Sequence, residues 1–277
     1  MESKSIGGLT LYYEAEDREA AELIGRACEQ SARVIHEHWG LETPGDCRVY
    51  VMQSLLHFVY HSAPWSWRVL LSATFPLWYF RQRRIWPYAG GYEQRYGRRV
   101  AVGIKPPRLM QPRLMQKANE SVGVRIFLET KEIEEKVQRT ACHELAHAFV
   151  GRLNLPAWLK EGHAMVTVDR YMGRPTVRPD TLEALARYSK KAAAAGYRKV
   201  SMQDPDAAVY LYTRGYWITR YLDDTQPELL RGLLRQRQRP GALEAEVAAA
   251  LGMEREAFWR EIDGIAIDHF GPVQGGV

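Results

Sequence analysis

Thr140-Ala141-Cys142-His143-Glu144-Leu145-Ala146-His147-Ala148-Phe149-Val150 is soon followed by Leu155-Pro156-Ala157-Trp158-Leu159-Lys160-Glu161-Gly162-His163-Ala164, and these two stretches decide how the chain is read. The first lies in a segment, Lys131 to Val150, with Glu132, Glu134 and Glu135 at its start and Gly151 after its end. Acids near the N-terminus suit a helix dipole and a glycine suits its stop, so the segment predicts a helix. His143 and His147 are then one turn apart on one face, a spacing that suits chelation of a single Zn²⁺. Glu144 is rotated away and can reach a metal-bound water without ligating the metal. Pro156 can open a second helix running from Ala157 to about Val168. A short connection folds that helix back antiparallel, so Glu161 can bring a carboxylate to the same metal. Gly162 beside it permits a close helix–helix approach, at a helix-propensity cost of about 1 kcal/mol.

A His-Glu-x-x-His helix followed by Pro-x-Trp-Leu-x-Glu-Gly-x-Ala resembles the gluzincin metallopeptidases, in particular the bacterial "peptidase MA-like" group. The resemblance spans roughly residues 140–222 and implies a zincin-like fold and zinc-dependent peptide hydrolysis. By it, His143, His147 and Glu161 are the zinc ligands and Glu144 is the general base. Tyr212-Thr213-Arg214-Gly215-Tyr216-Trp217 loosely resembles a Tyr-containing helix of that group. Tyr212 is the position carried over as a transition-state hydrogen-bond donor, with Tyr210 and Tyr216 as alternatives. The chain also departs from the pattern. Where thermolysin-like gluzincins have a carboxylate four residues after the ligand Glu, this chain has Met165, and Asp169 is a turn further on. The metzincin pattern fails at Val150 and Leu153, where it needs Gly and His.

Working outward, Leu9 to Tyr13, Arg48 to Met52, Arg99 to Ile104 and Val122 to Leu128 read as strands from alternation and β-branched content. Glu16 to Trp39 reads as a helix, with Ala20, Leu23, Ile24, Ala27, Val34 and Ile35 at three- and four-residue spacing and Gly40 as its stop. Pro87, Gly90, Gly91 and Gly97 read as a turn-rich loop. Beyond Lys131 only helices are expected, at 180–195, 205–222, 227–235, 243–251 and 254–265. The layout is α+β rather than alternating β-α-β: a mixed part over 1–128 and a helical part over 129–277. A five-residue direct repeat, Pro-Arg-Leu-Met-Gln at 107–111 and 112–116, reads as a duplication in an exposed loop.

With 277 residues, 46% hydrophobic and 26% charged, the chain can bury a core, which excludes disorder as its main state. Three scattered cysteines, Cys28, Cys47 and Cys142, exclude a disulfide scaffold and suggest reduced thiols. The opening Met-Glu-Ser-Lys-Ser-Ile-Gly-Gly lacks the features of a secretory signal, so a cytoplasmic setting is expected. Net charge is +5, but residues 81–117 alone carry ten basic side chains against Glu93, or +9. The aromatic-basic insert, about 58–117, is thus a cationic island on a mildly acidic body. Its blander reading is a solvated loop with a few ion pairs, and its sharper one a surface for an acidic partner.

Within it, residues 65–84 join Trp65, Trp67, Leu70, Leu71, Phe75, Leu77, Trp78 and Phe80 to Arg81, Arg83 and Arg84. Three uses fit: a core segment whose end snorkels, a wall of a substrate cleft, or a peripheral contact with an anionic membrane. The alternative to a peptidase is a non-catalytic zinc-binding domain whose insert meets nucleic acid or a membrane surface. No zinc-finger, RNA-recognition or helix-turn-helix signature supports nucleic acid. His163, on another helical face than Glu161, is expected to support the site or face solvent. His57 and His61 are expected to be ordinary helix or interfacial residues, and Cys142 a small core residue.

Overall fold

The fold was analysed in a computed structural model that describes residues 1–75, 79, 89–110, 122–195, 205–237, 239 and 241–271. Its chain divides into two compact units, residues 1–121, 129–149 and 170–172 in one, and 122–128, 150–169 and 173–277 in the other. The division differs from a single break after residue 128. The helix carrying the two histidines goes with the N-terminal unit, and the short segment before it goes with the helical one.

The first unit is built on five strands: β1 (Glu2–Ile6), β2 (Leu9–Tyr13), β3 (Cys47–Val51), β4 (Gly91–Tyr96) and β5 (Arg99–Ile104). Their order is β1-β2-β3-β5-β4; β2, β3 and β5 run parallel, and both outer strands are antiparallel to their neighbours. Leu11, Val49 and Val102 fall in register across the centre and are almost fully buried, as alternation requires of a sheet covered on that face. Helix α1 (Arg18–Trp39) covers it, and an added Cβ at Gly25 would meet Ile6 and Leu11. Gly40, with φ +63°, ends α1 in the left-handed conformation. On the opposite face Tyr50, Met52 and Ala101 pack with Leu55, Phe58 and Val59 of α2 (Leu55–Ser62), which Ser54 caps by accepting from the His57 amide. Next comes α3 (Trp65–Ala73), none of whose residues is buried.

Two strands went unread in the sequence. β1 is an edge strand with mostly exposed polar side chains, and its hairpin is closed by Gly7 and Gly8 at φ +52° and +84°. That glycine pair is the signal that could have found it. β4 occupies much of the expected turn-rich loop; Gly97, at φ +62°, sits in the turn that follows the strand, and Pro87 lies outside the described residues.

The second unit is helical: α4 (Val122–Ile126), α6 (Ala157–Met172, to Asp169), α7 (Thr181–Ala195), α8 (Pro205–Thr225), α9 (Pro227–Leu233), α10 (Ala242–Ala250) and α11 (Phe258–Phe270). Helix α5 (Ile133–Val150) belongs, to Phe149, to the first unit. α8 is the hub, touching α4, α7, α9 and α11. The expected strand over Val122–Leu128 is instead α4, followed by one isolated bridge from Phe127 to Val177. Val124 and Ile126 have no strand beside them among the described residues and pack in the helical unit, so tertiary context overrides β propensity.

Inside this unit α6 and α8 cross at contact distance. A Cβ on Gly162 would lie 2.1 Å from the Gly215 carbonyl oxygen, and one on Gly215 would lie 2.3 Å from that of Trp158. A second buried link joins α8 to α11: Asp263, fully buried, accepts from Arg214 at 2.8 and 3.0 Å and from the Tyr210 hydroxyl at 2.8 Å. All three cysteines are free and buried, and burial pushes the Cys47 thiol up to about 12. Among the described residues, no helix is long and apolar enough to cross a membrane.

Candidate metal centre

Helix α5 starts with Glu134 and Glu135 in its first turn and buries Val137, Ala141, Cys142, Leu145 and Ala146 along its inner side. That placement leaves His143 and Glu144 half-buried, with His147 only 7% exposed. The two imidazole Nε2 atoms approach to 3.0 Å, with ring planes at 86°. One Nε2–H can donate to the other at this distance, and the same convergence directs both lone pairs at one cation. Ligand nitrogens on a tetrahedral Zn²⁺ at about 2.0–2.1 Å stand roughly 3.3 Å apart, close to the spacing found. Donor atoms of His143, His147 and Glu161 all lie within 4.8 Å of one another. The residues therefore fit a divalent metal by both geometry and donor chemistry.

Glu144 lies on the same helix outside that trio. Its position is tied to β4: a Cβ added at Gly91 would sit 2.4 Å from Glu144 Cγ and 2.9 Å from Thr140 Cγ2. Gly90 is similarly close, its added Cβ 3.0 Å from Thr140 Oγ1. Only a residue without a side chain lets the edge strand begin this close to the helix. Sequence reading missed this pair's role, because tandem glycines also mark ordinary turns.

Two of the three candidate tyrosines of α8 have visible hydroxyl partners. Tyr210 donates to buried Asp263, and Tyr216, 1% exposed, donates to Asp169 Oδ2 at 2.6 Å. Burial first, then the adjacent Asp169 carboxylate, raises the Tyr216 phenol well above its ordinary range. Both hydroxyls are engaged inside the helical unit, and Tyr212 is half-buried.

The Asp169 carboxylate, a turn beyond Met165, is engaged within the helical unit. Its Oδ1 accepts from the Thr176 amide and hydroxyl at 2.7 Å each, and its Oδ2 accepts from Tyr216 and from Arg220 at 3.2 Å. Burial raises its pKa while these bonds pull it down. His163 is fully buried, which corrects the solvent-facing expectation, and it is not part of the metal-ligand trio. His57 and His61 pack ring on ring, and His57 Nε2 meets Glu14 at 3.2 Å; among the described residues they gather no third ligand.

Several cations of the basic insert are spent within the first unit. Arg99 pairs with Asp46, Arg108 with buried Asp17, and Lys105 is buried, its ammonium pulled down to about 8 by desolvation. The first copy of the five-residue repeat opens with a 3₁₀ turn, Pro107–Leu109, and buries Met110, so it is anchored rather than a free loop. The second copy, and Leu77, Trp78, Phe80, Arg81, Arg83 and Arg84, lie outside the described residues.

Compared with known proteins, the chain matches no family model, no curated protein and no solved structure.

Proposed function

We propose that this chain is a zinc-dependent metallopeptidase of gluzincin type, with a zincin-like fold, acting on a peptide or protein substrate. The observation that carries the reading is the convergence of His143, His147 and Glu161 donors within 4.8 Å, with Glu144 beside them on α5 and outside the trio. Three protein ligands of this kind suit a catalytic zinc, whereas a structural zinc normally takes a fourth Cys or His. Zinc held there would supply Lewis-acid polarisation and a water acidified toward neutral pH.

The chain's own groups do the rest. Glu144 would take the proton of the attacking water and return it to the leaving amine. Tyr212 would donate to the oxygen that gains negative charge. β4 ends the strand order, so its outer edge offers main-chain groups to an extended substrate, and Gly91 keeps that edge next to Glu144. Free, buried thiols support a cytoplasmic, reducing setting.

The test pairs metal content by mass spectrometry with hydrolysis of a diverse peptide library. Glu144→Gln should keep about one zinc per chain and lose turnover by at least roughly 100-fold. His147→Ala should lose both zinc and turnover. Wild-type hydrolysis by Glu144→Gln, or wild-type zinc content in His147→Ala, would sink the proposal. A wild-type protein that binds zinc and cleaves nothing would favour the non-catalytic zinc-binding domain.

A further inference from the structure

Helix α3 has six apolar residues among its nine, Trp65, Trp67, Val69, Leu70, Leu71 and Ala73, yet buries none of them. Trp65 is 78% exposed, Val69 61% and Leu70 53%. Tyr60, on the preceding α2, is 57% exposed, and Leu56 and Phe75 extend the same apolar surface. This overturns the core reading for the described part of the segment. A groove of about 340 Å³ opens between the two helices, walled by Leu56, Val59, Tyr60, Leu71 and Phe75, with Arg68 and two histidines among its polar parts. Continuous apolar exposure of this kind marks a contact surface rather than random scatter.

Charge selects the occupant. Residues 47–92 contain no Asp or Glu, but they contain Arg48, Arg68, Arg81, Arg83 and Arg84. The helix is tied to the β4–β5 hairpin, where Arg95, Arg98 and Arg99 cluster around the turn at Gly97. Trp67 packs edge-on to Tyr96 at 5.7 Å, and Arg99 donates to the Ser62 carbonyl oxygen. Asp46 lies beside this end, held by both Arg48 and Arg99, and Glu93 lies on β4 of the same hairpin. On the α2 side, the Glu14 carboxylate faces His57. Exposed tryptophan, tyrosine and aliphatic side chains thus stand in a stretch of sequence whose only charged residues from 47 to 92 are arginines. Tryptophan and tyrosine settle at the headgroup level of a bilayer, and arginine pairs with anionic headgroups. α2 and α3 are too short to cross a bilayer, which leaves lying in its surface.

We propose that the exposed apolar face of α2 and α3, which lies in an arginine-bearing stretch of sequence without acids, docks the protein on anionic lipid membrane. This inference is independent of the peptidase reading, so failure of one leaves the other standing.

The test uses the full chain and flotation with vesicles of phosphatidylcholine alone or with roughly 30% phosphatidylglycerol. Binding should require the anionic lipid and weaken steeply as salt rises from about 0.1 to about 1 M, as screening shortens from about 10 to about 3 Å. Trp65→Ser with Leu70→Ser should cut vesicle affinity roughly 100-fold, since two large apolar side chains no longer insert. Because both side chains are exposed, the melting temperature and zinc content of that variant should stay as in wild type. Arg81→Gln, Arg83→Gln and Arg84→Gln together should also cut affinity, by up to roughly 100-fold. Absence of binding to anionic vesicles at low salt overturns the proposal. So does vesicle binding that ignores Trp65 and Leu70, and so does a change of oligomeric state in their variant with vesicle binding intact, which would make the occupant a second copy.

Discussion

Replacing Gly162 by alanine should destabilise the protein even though alanine is the better helix former. The new Cβ would lie 2.1 Å from the Gly215 carbonyl oxygen, 2.1 Å from Thr219 Oγ1 and 2.6 Å from the Gly215 carbonyl carbon. Ordinary contact begins near 3.4 Å, so α6 and α8 must part by more than an ångström or α6 must rotate. Thr219 can swing aside, but a helix carbonyl cannot. Overpacking of this sort costs about 1–3 kcal/mol, and the upper end applies where backbone is struck. The gain in helix propensity returns about 1 kcal/mol. The net loss is about 1–2 kcal/mol, a fall of roughly 2–8 °C in melting temperature for a chain of this size. Gly264→Ala in α11 is the internal control, since nothing lies within 4 Å of its added Cβ, and it should melt slightly above wild type. Calorimetry of both variants decides the matter, with zinc affinity as a second readout, because Glu161 is the adjacent residue and should bind metal roughly 10–100-fold more weakly when displaced. If Gly162→Ala melts higher than wild type, as Gly264→Ala should, the close crossing is wrong.

Gly91→Ala should keep its metal and lose about 10–100-fold in turnover, because the new methyl displaces the Glu144 side chain; unchanged turnover would detach β4 from the site. Glu161→Ala should lower zinc occupancy by a large factor, since two imidazoles alone hold the ion poorly, and full occupancy by mass spectrometry would remove Glu161 from the ligand set. Lys105→Met should remove a pH dependence of stability. Burial lowers the Lys105 ammonium to about 8 from 10.5, so folding penalises the charged lysine fully below pH 8, by about 3 kcal/mol at most, and not at all above 10.5. Wild-type stability relative to the methionine variant in urea melts should therefore rise between about pH 8 and 10.5, and a constant difference would mean that the lysine is not desolvated.

What could be read from residues alone was what local chemistry dictates. The i, i+4 histidines, the acids opening α5 and the glycines at 40 and 151 all act within a turn or two, so the corresponding helices were legible. β2 carries its pattern in alternating buried leucines and β5 in buried β-branched residues, and both matched the structure end to end. β1 and β4 escaped because edge strands owe their conformation to a neighbour's hydrogen bonds, while their own side chains are polar or half-exposed. Val122 to Leu128 misled for the converse reason: its β-branched residues meet helices. Convergence of Glu161 on the histidines could be suspected from a short connection, but the hydroxyl partners of Tyr216 and Tyr210 could not. Tyr216 and Tyr210 are held by Asp169 and Asp263, acids 47 and 53 residues away in sequence.

The two fastenings of α6 to α8, glycine against glycine at 162 and 215 and Asp169 gripping Tyr216 and Arg220, bracket the carboxylate-bearing turn. They make α8 the thermodynamic reporter of Glu161 although none of the three candidate ligands lies on it. Ion binding that immobilises Glu161 should slow hydrogen exchange along α8, and loosening α8 from any direction should be felt as a weaker hold on the ion.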